Sequence, residues 1–142
     1  MTIDITATHA ETGPKGYAMA WLRDVRVGED IYSYMARIES TMEPYGGEWL
    51  VHGSLPIPLE GDCPDSVVII AFPSPGAARR WYDSPGYQEI LGLRVRNSCS
   101  DALLLEGVPA GYRVLDTIEK LKAAAGPGPY RPNRSSYSRR SA

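Results

Sequence analysis

The sequence predicts an α+β fold in which an antiparallel four-stranded sheet carries its helices on one face, and three observations predict it. Two short runs, residues 17–22 and Ser66–Phe72, are apolar at adjacent as well as alternate positions, as strands covered on both faces are. Two other stretches repeat apolar residues at helical spacing, at Ile31, Tyr34, Met35, Ile38 and Met42 and at Ala77, Ala78, Trp81 and Tyr82. The elements follow one another as β-α-β-β-α-β, the order of two split β-α-β units with both helices on one side of the sheet.

Each element has its own signals. Strand one, over 17–22, puts Tyr17, Met19 and Trp21 on one face and Ala18, Ala20 and Leu22 on the other. Gly28-Glu29-Asp30 starts the first helix with acids where unpaired N–H groups favour negative charge, and the helix is expected over 30–42. Pro44 and the Gly46-Gly47 pair stop it. Strand two is expected over 48–52 and is followed by a loop, 54–65, holding Pro56, Pro58, Gly61 and Pro64. Strand three is the β-branched run Ser66–Phe72. Ser74-Pro75 reads as an N-cap with proline at the first helical position, and Ser84-Pro85 repeats the device for a short helix through Tyr87, Ile90 and Leu91. Strand four is expected over 101–106, ended by Gly107 and Pro109. The order is that of a ferredoxin-like sandwich, with an added C-terminal helix expected over 110–125 on the stripe Val114, Leu115, Ile118 and Leu121.

Length and charge frame this reading. A chain of 142 residues supports one core, here assigned to residues 15–109, with a loose arm over 1–14 and a disordered basic tail over 126–142. Four of the fifteen basic residues, Arg131, Arg134, Arg139 and Arg140, sit in that acid-free tail, which leaves eleven against seventeen acids and a net of −6 for the rest. An acidic body argues against nucleic acid as partner. The first 14 residues hold no apolar run, so neither secretion nor a membrane is indicated, and Cys63 and Cys99, two isolated cysteines, read as reduced thiols of a cytoplasmic protein.

Across residues 15–108 the chain resembles a known family. Lys15-Gly16-Tyr17, Tyr45-Gly46-Gly47, Gly53, Leu59-Glu60-Gly61, Phe72-Pro73-Ser74, Trp81-Tyr82, Ser84-Pro85, Tyr87 and Leu93-Arg94 are similar, in that order, to domain-of-unknown-function family 1330 of the dimeric α+β barrel superfamily. The resemblance implies a homodimer, a dimeric α+β barrel in which two sheets face each other around a cavity. The wider superfamily includes polyketide cyclases, cofactor-free quinol-type monooxygenases, muconolactone isomerase-like enzymes and haem-degrading proteins, so the fold by itself selects no chemistry. Two positions depart from the family: Trp21 stands where a polar side chain is usual, and His52 where arginine is common.

Candidate chemistry falls on few residues. His52 is the one histidine of the folded body and suits acid or base work near neutral pH, against the plainer role of a hydrogen-bonded strand histidine. Glu60, on a loop, can take a proton or orient His52, or fix a turn through backbone N–H groups. Arg94 can hold a carboxylate or enolate by its planar fork, or pair with Asp101 or Glu106. Tyr17, Trp21, Trp49 and Phe72 can line a pocket for a planar apolar ligand, or belong to core and interface. Trp81, Tyr82 and Tyr87 are assigned to packing of helix on sheet. No Gly-rich phosphate loop, metal-ligand spacing or nucleophile turn is present, so no cofactor is expected.

These readings converge on a small-molecule tailoring enzyme of polyketide-like or aromatic metabolism. It would run cofactor-free cyclisation, isomerisation or elimination in a dimer cavity, with itself and a small apolar or aromatic substrate as partners. A cofactor-free monooxygenase on an aromatic substrate and a non-catalytic dimeric ligand-binding protein stay open beside it.

Overall fold

Strand β1 (Gly16–Arg23) is the element on which the sheet is built. It pairs antiparallel with β3 (Ser66–Phe72) on one side and with β4 (Cys99–Glu106) on the other, and β2 (Glu48–Val51) lies outside β3, giving the order β2-β3-β1-β4. That is the ferredoxin-like order, with three helices against it: α1 (Glu29–Met42), α2 (Pro75–Asp83) and α3 (Pro85–Val95). The computed structural model describes residues 13–124 and Gly128, so the expected arm over 1–14 and tail over 126–142 lie almost wholly outside the described residues.

Alternation along β1 decides what each face holds. Ala18 lies opposite Ile70 and Leu104; it is buried with Ile70 under the helices, and Leu104 packs half-buried against them. Tyr17, Met19 and Trp21 point the other way, beside Ala71 and Leu105, Ile69 and Leu103, and Val67 and Asp101. This second face carries no helix and is only half-buried. Apart from Ala71, the core of the sheet lies on the helix side, around the fully buried Phe72, Met42 and Ile90. Trp81 joins it, its ring 5.2 Å from Phe72 and 4.2 Å from Tyr87, with Nε1 donating to Thr41 Oγ1 at 3.0 Å.

The serine-proline signals act as caps. Ser74 Oγ accepts from Ala77 N at 3.1 Å and Ser84 Oγ from Tyr87 N at 3.3 Å, with Pro75 and Pro85 opening α2 and α3. Ser84 also closes α2, donating from its N–H and hydroxyl to Trp81 O. Gly16 is glycine because a Cβ there would lie 2.4 Å from Ser74 O, where strand and cap cross.

Most boundaries shift by a residue or more from the sequence reading, and three of the shifts bear on the candidate residues and their surroundings. Strand β2 stops at Val51, because the ladder is broken by a bulge between Trp49 and Val51 and Gly53 turns the chain at φ +80. His52 therefore lies beyond the strand. Strand β4 begins at Cys99, pairing with Arg23. The helix started by Ser84 runs beyond Leu91 to Val95, so that Arg94 is helical. Residues from Gly111 form a second unit, in which α4 (Val114–Ala124) carries Val114, Leu115, Ile118 and Leu121 exposed.

Candidate functional site: a buried arginine among hydroxyls

The residues singled out by sequence do not meet. His52 is exposed and its ring lies 4.7 Å from that of Trp49, whose Nε1 donates to Glu39 Oε1 at 2.9 Å. Glu60 is exposed in the connection from β2 to β3, where its carbonyl accepts from Cys63 Sγ at 3.5 Å. The four aromatics divide between the faces. Tyr17 and Trp21 stand on the uncovered face, whereas Trp49, opposite Ile70, and Phe72, opposite Gly16 and 1% exposed, stand on the helix face. Strand alternation thus forbids a single pocket lined by all four.

Arg94 is different in kind. It is 6% exposed, the one charged side chain in the buried set of the described residues, and none of their ion pairs includes it. The expected pairing with Asp101 or Glu106 is absent. Arg94 instead donates from Nη1 to Ser100 Oγ at 2.5 Å and from Nη2 to Tyr87 OH at 3.4 Å, and its Cζ lies 6.0 Å from the Tyr34 ring centroid. Tyr34 OH and Tyr87 OH share a hydrogen bond of 2.8 Å. Helix geometry makes this group possible, since Tyr87, Ile90 and Arg94 fall on one buried face of α3, two turns from end to end. Tyr34 comes from α1 and Ser100 from β4.

Electrostatics fixes the protonation states. Burial drives the Tyr34 phenol well above its ordinary range, with the Tyr87 oxygen adding to the shift and the Arg94 charge opposing it, so the phenol stays neutral. Burial opposes the charge on Arg94, but the oxygens of Tyr87 and Tyr34 outweigh it and its pKa is raised, so it stays a cation. A guanidinium has five N–H donors, and two of them are used in these bonds. The cluster is therefore a cation flanked by hydroxyls, able to stabilise a negatively charged oxygen and holding no base of its own. On the sheet beneath it Leu22 lies between Ser66 and Ser100, and Ala20 between Val68 and Ala102, with Ala102 exposed at the β4 edge.

His52 and Arg94 occupy opposite edges of the sheet. Ser100, which Arg94 holds, is on β4, and His52 follows β2. Three strand spacings separate those edges, about 14 Å. Sequence reasoning found Arg94 but missed Tyr34, Tyr87 and Ser100 as its company. The signal was an arginine seven residues after Tyr87 on an otherwise apolar helix face.

Comparison with known proteins follows the same outline. Residues 15–108 match the family model described as a domain of unknown function, DUF1330. The structure is similar to that of the methylated RPA0582 protein, with 19% identity, TM-score 0.54, and 79% of this chain and 96% of that chain covered. A second structure of RPA0582, a protein of unknown function from Rhodopseudomonas palustris, gives 19% identity and TM-score 0.53 over 76% of this chain and 95% of that one. A dimeric ferredoxin-like protein of unknown function from Thermobifida fusca is matched at 13% identity and TM-score 0.47, over 66% of this chain and 92% of that one. No curated protein matches. At these identities the likeness to RPA0582 is one of fold.

Proposed function

Starting from the fact that this chain belongs to the DUF1330 family, we propose that it is a homodimeric, cofactor-free small-molecule tailoring enzyme whose reacting centre is Arg94 with Tyr87, Tyr34 and Ser100. The observation that carries the proposal is a buried guanidinium that donates to hydroxyls and lacks a carboxylate. Burying a cation costs several kcal/mol, and a protein that needed only packing there would use an apolar side chain. A site that meets an anion has reason to keep the charge.

The substrate is planar, apolar in its body, and carries an acidic or enolisable oxygen of the kind found in aromatic and polyketide-like compounds. Arg94 and the Tyr87 hydroxyl hold that oxygen as its charge develops. Cyclisation, isomerisation and elimination all pass through such an oxyanion, so one arrangement serves any of them. Because the cluster holds no base, the proton leaves to water or to a group on the substrate. His52 and Glu60 have no part in this reading.

The uncovered sheet face supports the dimer. Tyr17, Met19, Trp21, Ile69 and Leu103 form an apolar surface that a second copy would cover. Met19→Glu places a charge at its centre, outside the core, and should give a folded monomer by sedimentation.

The chemistry is tested by deuterium uptake. Proton NMR follows exchange at the acidic carbon of 1-phenylbutane-1,3-dione in heavy water, with and without the protein. Acceleration by the wild type and its loss in Arg94→Met support the proposal. Binding of salicylate that depends on Arg94, with no acceleration of exchange, replaces it by the ligand-binding reading, which the missing base favours. Failure of both refutes the site.

A further inference from the structure

The most exposed large apolar side chains of the described residues are consecutive odd positions in one connection: Leu55 at 86%, Ile57 at 84% and Leu59 at 90%. Pro56 and Pro58 alternate with them, and a residue before proline is held to extended conformations. The segment is thus stiffened, which lowers the entropy lost when it is ordered against a partner. Three such side chains left in water at neighbouring positions cost solubility without helping this protomer's core.

The rest of the connection shows where the segment belongs. Arg23, on the uncovered face of β1, donates from Nη1 to Cys63 O at 3.1 Å and from Nη2 to Asp62 O at 3.0 Å. Asp65 N donates to Leu22 O at 3.0 Å, and Asp65 Oδ2 accepts from Asp24 N at 3.0 Å. The returning limb is therefore tied to the end of the same sheet face that presents Met19 and Trp21, and the apolar limb directly precedes it in the same connection.

Area identifies the occupant. Four strands of this length make a face of roughly 450 Å² in outline, even with side-chain relief short of the ~800 Å² per partner of an ordinary stable interface. A two-fold dimer needs matching surface on both copies, and one apolar segment per protomer laid over its neighbour supplies it.

We infer that residues 55–59 form a clasp that lies on a second copy of this chain, extending the contact between the two uncovered sheet faces. The inference rests on the homodimer reading above. The clasp works through side chains: Leu55, Ile57 and Leu59 bury against the partner at the border of its sheet, and Arg23 holds the base of each clasp in position.

Two measurements on the full chain test it. In a dilution series by sedimentation velocity, the triple variant Leu55→Ser, Ile57→Ser, Leu59→Ser should raise the dimer dissociation constant about a hundredfold or more, because three exposed-to-buried transfers per protomer are lost. Its near-ultraviolet circular dichroism should match that of the wild type at equal monomer content, since none of the three is in the core. A photoreactive benzophenone side chain at position 57, in an equal mixture of unlabelled and isotope-labelled protein, should give crosslinks between the two labels. A dissociation constant within about twofold of the wild type, or crosslinks confined to one label, overturns the clasp. If that variant still dimerises and Met19→Glu does not, the dimer stands and the clasp falls; a wild-type monomer at every concentration removes both. Crosslinking in cells that captures only a different protein assigns the segment to another partner and also overturns the inference.

Discussion

Replacing Arg94 by methionine separates a functional charge from a structural one. The change removes a 2.5 Å hydrogen bond to Ser100, worth about 1.5–3 kcal/mol for a charged donor, and a 3.4 Å contact to Tyr87 too long to add much. It also removes the weak attraction to the Tyr34 ring 6.0 Å away, about 0.5–1 kcal/mol. Against these losses stands relief of the desolvation that opposes the charge, which the Tyr87 and Tyr34 oxygens already outweigh, while methionine refills most of the volume. Tyr87 keeps its hydrogen bond to Tyr34. The balance predicts an unfolding free energy in urea unchanged or lowered by up to about 2 kcal/mol. The catalysed deuterium exchange should meanwhile fall by about a hundredfold or more, the usual effect of removing a group that holds an oxyanion. Arg94→Lys keeps the charge without the fork and should recover part of the activity. A loss of more than about 3 kcal/mol in the methionine variant would show Arg94 to be a strut of the core and refute the reasoning.

Other outcomes follow from the same packing. Burial raises the Tyr34 phenol above its ordinary value of 10.0, so the unfolded chain loses that proton more readily than the folded one. Stability is indifferent to this group below pH 10.0 and falls as pH rises beyond it, by at most about 1.4 kcal/mol per unit, and Tyr34→Phe should flatten the alkaline limb of a urea-stability profile by that slope. Ser84→Ala removes a buried hydroxyl that serves two helices and should cost about 1–2 kcal/mol in thermal or urea unfolding. Gly16→Ala drives a methyl group into the Ser74 carbonyl and should cost about 2 kcal/mol or more, in contrast to Gly28→Ala, where nothing lies within 4 Å.

The fold was legible because its signals are local. Ser74-Pro75 and Ser84-Pro85 announce helix starts in four residues, and the β-branched run of β3 can hardly be anything but a strand, so element order and topology follow. The site was legible only in part, because it depends on which neighbours meet. Arg94 could be suspected from its sequence neighbourhood, but its partners come from α1 and β4 as well as its own helix, and only packing brings Tyr34 and Ser100 to it. Sequence reading takes the strand through His52, whereas a bulge and the turn at Gly53 end it at Val51. The grouping of Tyr17, Trp21, Trp49 and Phe72 failed for a simpler reason: residue type says that an aromatic is suited to a pocket, and strand parity says which side of the sheet it is on.

The shared serine between α2 and α3 has a consequence for how this chain can change. With no linker at that corner, a single inserted residue would separate the two caps that Ser84 serves and shift α3 against α2, carrying Tyr87 off its stack and Arg94 away from Ser100. Lengthening is thus forbidden at Ser84, whereas the proline-bearing connection after β2 can absorb it, and variation in length among related chains should accumulate in the second place and never in the first.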